Sequence, residues 1–174
     1  MSAGSHPIHC AAIVVFTACG APTVADDTPS EVAWALAYLE TLPDMSGRAL
    51  PPRADAPRTV VMFFASWCVH CRHELDAFEK LDLGGARMVL VNAFEDYDDR
   101  GSTDDMRALL AERGIDWPVV VGNEELRRRF DVTKIPSVFI YDEGGREIAA
   151  YRRRDRGPPT TQELKAHLSS QGSQ

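Results

Sequence analysis

An unbroken apolar run that ends near a pair of cysteines is the feature that most limits how this chain can fold. Residues 59–65, TVVMFFA, are mostly β-branched or aromatic and show no polar alternation. Such a run is typical of a strand that is covered on both faces of a sheet. From Cys68 onward the pattern becomes helical, with Leu75, Phe78 and Leu81 on one side. The sequence therefore predicts a central strand that passes into a helix at Cys68.

The rest of the chain alternates between strand patterns and helix patterns. Strands are predicted at 87–94, 117–121 and 137–151, the last range being two strands joined by a glycine turn. Helices are predicted at 30–42, 102–114, 123–130 and 160–170. The segment 43–58 is rich in Pro, Gly and Ala and is predicted to be a surface connection. Together these elements predict an α/β fold with a mixed central sheet and helices on both faces.

Composition limits the class of protein and its partners. The chain has 174 residues, of which 44% are hydrophobic and 26% charged, as expected of one folded domain with short extensions. Acidic residues outnumber basic ones, 26 to 19, and the formal net charge is -7. A protein that binds nucleic acid usually carries a broad basic surface, which the phosphate backbone attracts. Because this chain is acidic overall, we expect no nucleic-acid partner.

The N-terminus carries an export pattern. Residues 10–18 form an apolar run with the length of a signal-peptide core, whereas a membrane span needs roughly 20 residues. Small residues then lead to Cys19, which resembles the cysteine at which bacterial lipoproteins are cleaved and acylated. The first Lys or Arg of the chain is Arg48, so the basic start of a signal peptide is missing. A buried strand or a disordered tail is the alternative interpretation.

This pattern predicts how the chain is divided. We expect a signal peptide over 1–19 with Cys19 as the lipidation site, and a flexible tether over 20–29, which is small, acidic and contains proline. One domain is predicted over 30–174, with its core at 59–168. The protein is then expected to be exported, periplasmic or otherwise extracytoplasmic, and held at a membrane by its lipid.

The cysteines carry the predicted chemistry. Cys10 would leave with the signal and Cys19 would carry lipid, so Cys68 and Cys71 would remain as the thiols of the mature protein. The first turn of a helix has unpaired N–H groups and a positive dipole end, which stabilise a thiolate. We therefore predict that Cys68 attacks a disulfide and that Cys71 resolves the mixed disulfide. His70 can stabilise the thiolate further, which makes the couple more oxidising.

These motifs resemble those of the thioredoxin-fold thiol-disulfide oxidoreductases, particularly the exported TlpA/ResA-like branch. The resemblance covers roughly residues 59–168. Its marks are the strand VVMFF, the ASWCVHC motif, VLVNAFED, RGIDWPVVV, FDVTKIPSVFIYDEGG and the C-terminal helix. The CxxC spacing alone would be a weak signal, but its place between a strand and a helix makes the combination specific.

The resemblance implies roles for further residues. Pro136 is expected to be a cis proline beside the disulfide, with the backbone of Ile135 pairing with the substrate chain and Trp67 at the rim. Glu74 matches a glutamate that lies under the active site and exchanges a proton with the resolving thiol; the alternative is a solvated helix carboxylate. Met62 departs from the pattern, since thioredoxin has a buried aspartate there, and proton transfer from the resolving thiol is left to Glu74, water or His70.

The resemblance also implies an activity and partners. We expect disulfide exchange with protein thiols, without a bound cofactor, by a monomer that receives electrons from a membrane protein. TlpA/ResA-like relatives are mostly reductases, which makes reduction the expected direction. A histidine before the second cysteine favours oxidation, so the direction stays open.

Metal binding and a redox-inert binding domain are the alternatives. A structural zinc site needs four ligands, and the sequence offers no second cysteine pair or histidine cluster to complete one with His70 or His73. A copper-delivery protein of the same fold would need a distant histidine, for which His167 is available. The acidic segment 95–105 has partial EF-hand spacing, but arginines occupy two ligand positions, so a solvated loop is predicted.

Two other sequence features are predicted to have structural roles only. The basic clusters at 127–129 and 152–156 are predicted to be ordinary surface, with contact to lipid head groups or an acidic partner as the alternative. Trp34 and Trp117 are predicted to be core residues.

Overall fold

The structure is a computed structural model that describes Met1 and residues 31–169. The predicted signal peptide with Cys10 and Cys19, the tether over 20–29 and the first residue of the helix predicted over 30–42 lie outside the described residues. These assignments, and the division of the chain into domains, stay predictions.

Within residues 31–169, five α-helices and five strands follow one another in the predicted order. The strands are β1 (Arg58–Phe64), β2 (Arg87–Asn92), β3 (Val119–Val121), β4 (Ser137–Asp142) and β5 (Glu147–Tyr151). The helices are α1 (Glu31–Glu40), α2 (Val69–Glu79), α3 (Thr103–Arg113), α4 (Glu124–Arg129) and α5 (Thr161–Ser169). Short 3₁₀ turns occupy Arg53–Asp55 and Tyr97–Asp99.

The strands form one mixed sheet in the order β3-β2-β1-β4-β5. β2 is parallel to β1 and to β3, whereas β4 is antiparallel to β1 and to β5. Every residue of β2 and all but the first residue of β1 are buried, so both faces of the sheet centre are covered. Because β1 and β2 are parallel, their carboxyl ends meet at one edge of the sheet, and the cysteines follow β1 at that edge.

Local side-chain signals explain where three of the helices begin. The Cys68 sulfur accepts the N–H of Cys71 at the start of α2. At α3, Ser102 and Asp105 form a reciprocal capping box, and Gly114 ends the helix in the left-handed conformation. Thr160 and Glu163 cap α5 in the same reciprocal way.

An aromatic cluster joins the sheet to α4. The rings of Phe63 on β1 and Phe139 on β4 lie 5.9 Å apart, and Phe130 at the end of α4 packs 5.0 Å from Phe63. Helix α1 then packs against α4, where the guanidinium of Arg129 lies 4.5 Å from the centre of the Tyr38 ring. The N-terminal helix is thus packed onto the domain.

Two predictions about burial were wrong. Trp34 is 54% exposed, because α1 turns Ala35, Leu36 and Leu39 toward the core instead. The connection 43–58 is not wholly a surface segment, since Leu50 and the carboxylate of Asp44 are buried within it. Trp117 is half-buried and packs against the core. Among residues 31–169, no helix is long and apolar enough to cross a membrane.

Candidate active site

The two cysteines form a disulfide at the start of α2. Cys68 is the N-cap of the helix, and its sulfur is bonded to that of Cys71, with 5.2 Å between the two Cα atoms. The N–H of Cys71 points at the Cys68 sulfur from 3.2 Å. Cys71 has no exposed surface, whereas Cys68 is 6% exposed. Of the two cysteines, Cys68 alone thus keeps exposed surface, and it lies where helix N–H groups favour a negative charge.

A surface cleft of about 530 Å³ opens beside Cys68. We call it the Cys68 cleft; its lining residues include Trp67, Cys68, Val69, His70, Phe94, Tyr97, Arg100, Thr133, Lys134, Ile135 and Arg153. His70 is exposed at this cleft. The peptide bond between Ile135 and Pro136 is cis, as the resemblance implied. The cleft thus brings together Trp67, Cys68, His70 and Ile135, which the sequence placed in the site.

The loop before the cysteines is fixed by its tryptophan. The Trp67 indole N–H lies 3.1 Å from the carbonyl oxygen of Phe94 and 3.2 Å from that of Glu95. The guanidinium of Arg100 covers the Trp67 ring at 5.2 Å. Trp67 therefore forms a wall of the Cys68 cleft and ties the loop to the chain that follows β2.

Glu74 lies under the site, one helical turn after Cys71 on the buried side of α2. It is 5% exposed, and its Oε1 atom has no hydrogen-bond partner. Burial raises the pKa of Glu74 to about 7, because the charged form loses hydration that nothing replaces. The alternative of a solvated carboxylate is therefore wrong. Met62, the residue matched above to the buried aspartate of thioredoxin, is fully buried on β1. This position therefore supplies no carboxylate to the site.

Glu95 begins the segment predicted to be a solvated loop, and for this residue the prediction was wrong. Its carboxylate is buried and accepts the Ser66 N–H at 2.9 Å, the Ser66 hydroxyl, and the side-chain amide of Asn92 at 2.5 Å. A Cβ atom added to Gly101 would stand 2.4 Å from the Glu95 Oε1 atom. An acid directly after a buried strand, at the edge that carries the cysteines, was the available signal. The neighbouring Asp96, Asp98 and Asp99 are exposed, as predicted.

Metal ligands do not assemble in the described part of the chain. Among those residues, no three His, Cys, Asp or Glu side chains lie close enough together to hold an ion. His167, the candidate third copper ligand, lies on α5, and its carbonyl oxygen accepts a hydrogen bond from Arg58 at the start of β1. The cysteines follow the other end of β1. The copper-delivery alternative therefore gains no ligand from this histidine.

Comparison with solved structures identifies the fold. A thioredoxin-like protein from Aeropyrum pernix matches with a TM-score of 0.62 and 18% identity, over 79% of this chain and 95% of that protein. StoA from Bacillus subtilis matches with a TM-score of 0.55 and 20% identity, over 74% of this chain and 94% of that one. The chain has the thioredoxin fold. A secreted disulfide oxidoreductase from Mycobacterium tuberculosis shares this fold, with a TM-score of 0.56 and 14% identity over 74% of this chain and 93% of that one.

Sequence comparison agrees with the thioredoxin fold. The chain is 27% identical over 92 residues to the thioredoxin-like protein YneN of Bacillus subtilis, which is 53% of this chain and 54% of the relative. It is 26% identical over 113 residues to sporulation thiol-disulfide oxidoreductase A of the same organism, 62% of this chain and 64% of the relative. The match thus spans less than two thirds of either relative. No family model matches the chain. The predicted resemblance to thioredoxin-like thiol-disulfide oxidoreductases is confirmed.

Proposed function

We propose that this chain is a thiol-disulfide oxidoreductase that exchanges disulfides with protein substrates. The observation that carries the proposal is the Cys68–Cys71 disulfide, in which Cys68, at the helix start, lines an open cleft while Cys71 is fully buried. Similarity to curated relatives of this activity supports it. No bound cofactor is needed, because the reaction uses only the two sulfurs.

In the reducing direction the reaction begins with both cysteines as thiols. The Cys68 thiolate attacks a sulfur of the client disulfide, forming a mixed disulfide and releasing one client thiolate, which takes up a proton. Cys71 then loses its proton and attacks the Cys68 sulfur, which releases the second client thiolate and closes the Cys68–Cys71 disulfide. The client gains two electrons and two protons, and the dithiol loses them. A membrane electron-donor protein is our proposed source of the electrons that restore the dithiol.

Three neighbouring groups support these steps. Glu74 is our proposed acceptor of the Cys71 proton, since a carboxyl with a pKa of about 7 can take up and release a proton near neutral pH. His70, exposed beside Cys68, stabilises the attacking thiolate. We propose that the cleft walls at Trp67 and Ile135 hold the client chain next to Cys68, and that Pro136 acts on this wall through its cis bond to Ile135.

Insulin reduction tests the activity directly. The background is the Cys10→Ser/Cys19→Ser variant, which leaves Cys68 and Cys71 as the remaining thiols. We expect it to reduce insulin with dithiothreitol as the electron source, and we expect Cys68→Ser to remove this activity. Cys71→Ser should still attack but should accumulate a mixed disulfide with insulin chains, visible on a non-reducing gel. Undiminished activity in Cys68→Ser would contradict the proposal.

We also propose export and a lipid anchor on Cys19, with the protein acting as a monomer. The uncharged apolar run before Cys19 supports export, and one protein of the same fold is described as secreted. Radioactive palmitate should label the protein when it is produced in bacteria, and the Cys19→Ser variant should stay unlabelled. Equal labelling of both forms would contradict the anchor at Cys19.

The direction of exchange follows from the reduction potential. We propose reduction as the direction, which predicts a potential of about -270 mV, near that of thioredoxin. Equilibration with glutathione or dithiothreitol buffers measures it. A value near -120 mV would instead make the protein an oxidant, with His70 as the first residue to replace.

A further inference from the structure

Within residues 31–169, the charged side chains that line the Cys68 cleft are all basic. They are Arg100, Lys134 and Arg153, and no aspartate or glutamate of this part of the chain lines the same cleft. The chain as a whole has a formal net charge of -7. The cleft beside the reacting sulfur therefore has the opposite charge to the average surface of the protein.

The arginines of the second basic cluster, RRRDR at 152–156, differ in whether they pair with a carboxylate. Three of its arginines pair with carboxylates of the same chain: Arg152 with Glu147 at 3.8 Å, Arg154 with Asp131 and Asp155, and Arg156 with Glu163. Arg153 lines the cleft instead, and within residues 31–169 it forms no ion pair.

Lys134 is similar to Arg153 in this respect. It is exposed at the cleft, next to Ile135, and it also forms no ion pair among the described residues. Two cations that form no ion pair within residues 31–169 thus line the Cys68 cleft together with Ile135.

Arg100 supplies a third charge beside the tryptophan. Its guanidinium lies 5.2 Å from the centre of the Trp67 ring and 5.9 Å from that of the Tyr97 ring. Among the described residues its one ion pair is with the Asp98 carboxylate, at 3.6 Å, and that carboxylate is 61% exposed. Stacking between a guanidinium and aromatic faces restricts where the charge can lie.

Resting on the proposed function, we propose that the Cys68 cleft selects client segments that carry Asp or Glu within a few residues of the reacting cysteine. The apolar walls, including Trp67, Phe94 and Ile135, can hold an extended chain of any sequence. Lys134 and Arg153 add the sequence preference, because a carboxylate near the client cysteine gains a partner and a lysine there is repelled.

Three model substrates test this preference on the full-length chain in the Cys10→Ser/Cys19→Ser background, to which all variants below belong. They are peptides with one cysteine linked to 2-thiopyridine and flanked by two aspartates, two asparagines or two lysines. The protein, reduced beforehand, releases pyridine-2-thione from each peptide, and absorbance gives the second-order rate constant. We expect the ratio of the Asp rate to the Lys rate to fall about three- to tenfold in Lys134→Gln/Arg153→Gln. For the wild type, the ratio should also fall when NaCl is raised from about 20 to about 500 mM.

A matched variant separates the cleft from overall charge. Arg107→Gln/Lys165→Gln removes the same two charges from α3 and α5, outside the residues that line the cleft. We expect it to keep the wild-type ratio, and we expect all forms to react equally with the asparagine peptide. The ratio for one variant does not depend on the amount of folded protein, and comparing the ratios of two variants cancels differences in peptide reactivity.

Three outcomes would overturn the inference. One is a wild type that reacts equally with the Asp and Lys peptides, which leaves the proposed exchange activity intact. Another is an unchanged ratio in Lys134→Gln/Arg153→Gln. A third is a Lys134→Gln/Arg153→Gln variant that loses only its binding to phosphatidylglycerol vesicles, which would mean that Lys134 and Arg153 contact a lipid surface. Failure of the wild type to react with any peptide or with insulin would instead contradict the proposed function itself.

Discussion

Glu74 combines burial, an orphaned oxygen and a position one turn from Cys71. Its raised pKa has a consequence for stability. Between an ordinary carboxyl value of 4.5 and about 7, the folded chain keeps the Glu74 proton and the unfolded chain loses it. The free energy of unfolding contributed by this group therefore falls as pH rises through that interval, by about 3 kcal/mol in all.

Replacing Glu74 tests that contribution. We expect Glu74→Gln to remain neutral at every pH, so its stability relative to wild type should increase between pH 5 and pH 8. Urea unfolding of the oxidised proteins at both values measures this difference. Glu74→Leu should show the same change in pH dependence whatever its packing cost, because it also lacks the charge. If the free energy of unfolding changes with pH in the same way for wild type and both variants, the pKa of Glu74 is not raised in the folded protein.

Glu95 is a positioning residue, because it touches the loop before Cys68 and not the sulfur itself. Glu95→Ala should leave the Ser66 N–H and the Asn92 amide without acceptors, at a cost of about 3 kcal/mol in unfolding free energy. Glu95→Gln keeps an acceptor oxygen for both donors and should cost about 1 kcal/mol. Urea unfolding gives the free energies, and the fluorescence of Trp67 reports the loop. Equal costs for the two variants would mean that charge, not hydrogen bonding, is what matters.

Helix α3 illustrates how local chemistry fixes an element near the site. Ser102 accepts the Asp105 N–H through its hydroxyl, and the Asp105 carboxylate accepts the Ser102 N–H at 2.9 Å. We expect Ser102→Ala to lower the unfolding free energy by about 1 kcal/mol. Thr103→Ala, one residue later and without a cap bond in the described network, should change it by less than about 0.5 kcal/mol. The same loss in both variants would contradict a specific capping role.

Caps and periodicity are local signals, which is why the sequence predicted the order of the elements and the starts of α2, α3 and α5 correctly. The same local view gave the wrong burial for Trp34, because α1 has apolar residues on more than one side and only packing decides which side faces inward. Glu95 was missed for a related reason. Its partner Ser66 is 29 positions away, and only the sheet register brings the two together.

At the scale of the whole molecule, Arg87 joins the N-terminal part of the chain to the sheet. This buried residue begins β2, and its guanidinium donates to the Glu40 carboxylate at the end of α1 and to the Pro51 carbonyl, both at 2.5 Å. A third bond reaches the Thr59 hydroxyl on β1 at 3.2 Å. One side chain thus holds α1, the connection after it and the two central strands.

This junction predicts where the molecule opens first when it is weakened. Glu40→Ala leaves the buried guanidinium without its carboxylate and should lower the unfolding free energy by about 2 kcal/mol. Glu40→Gln keeps a neutral acceptor and should cost less. Because α1 is otherwise attached mainly through α4, we expect amide hydrogen exchange in Glu40→Ala to accelerate most across residues 31–58, with β1, β2 and β4 still protected. Insulin reduction should be unchanged, since Glu40 lies outside the Cys68 cleft. Uniform acceleration across the sheet would show instead that α1 and the sheet unfold as one unit.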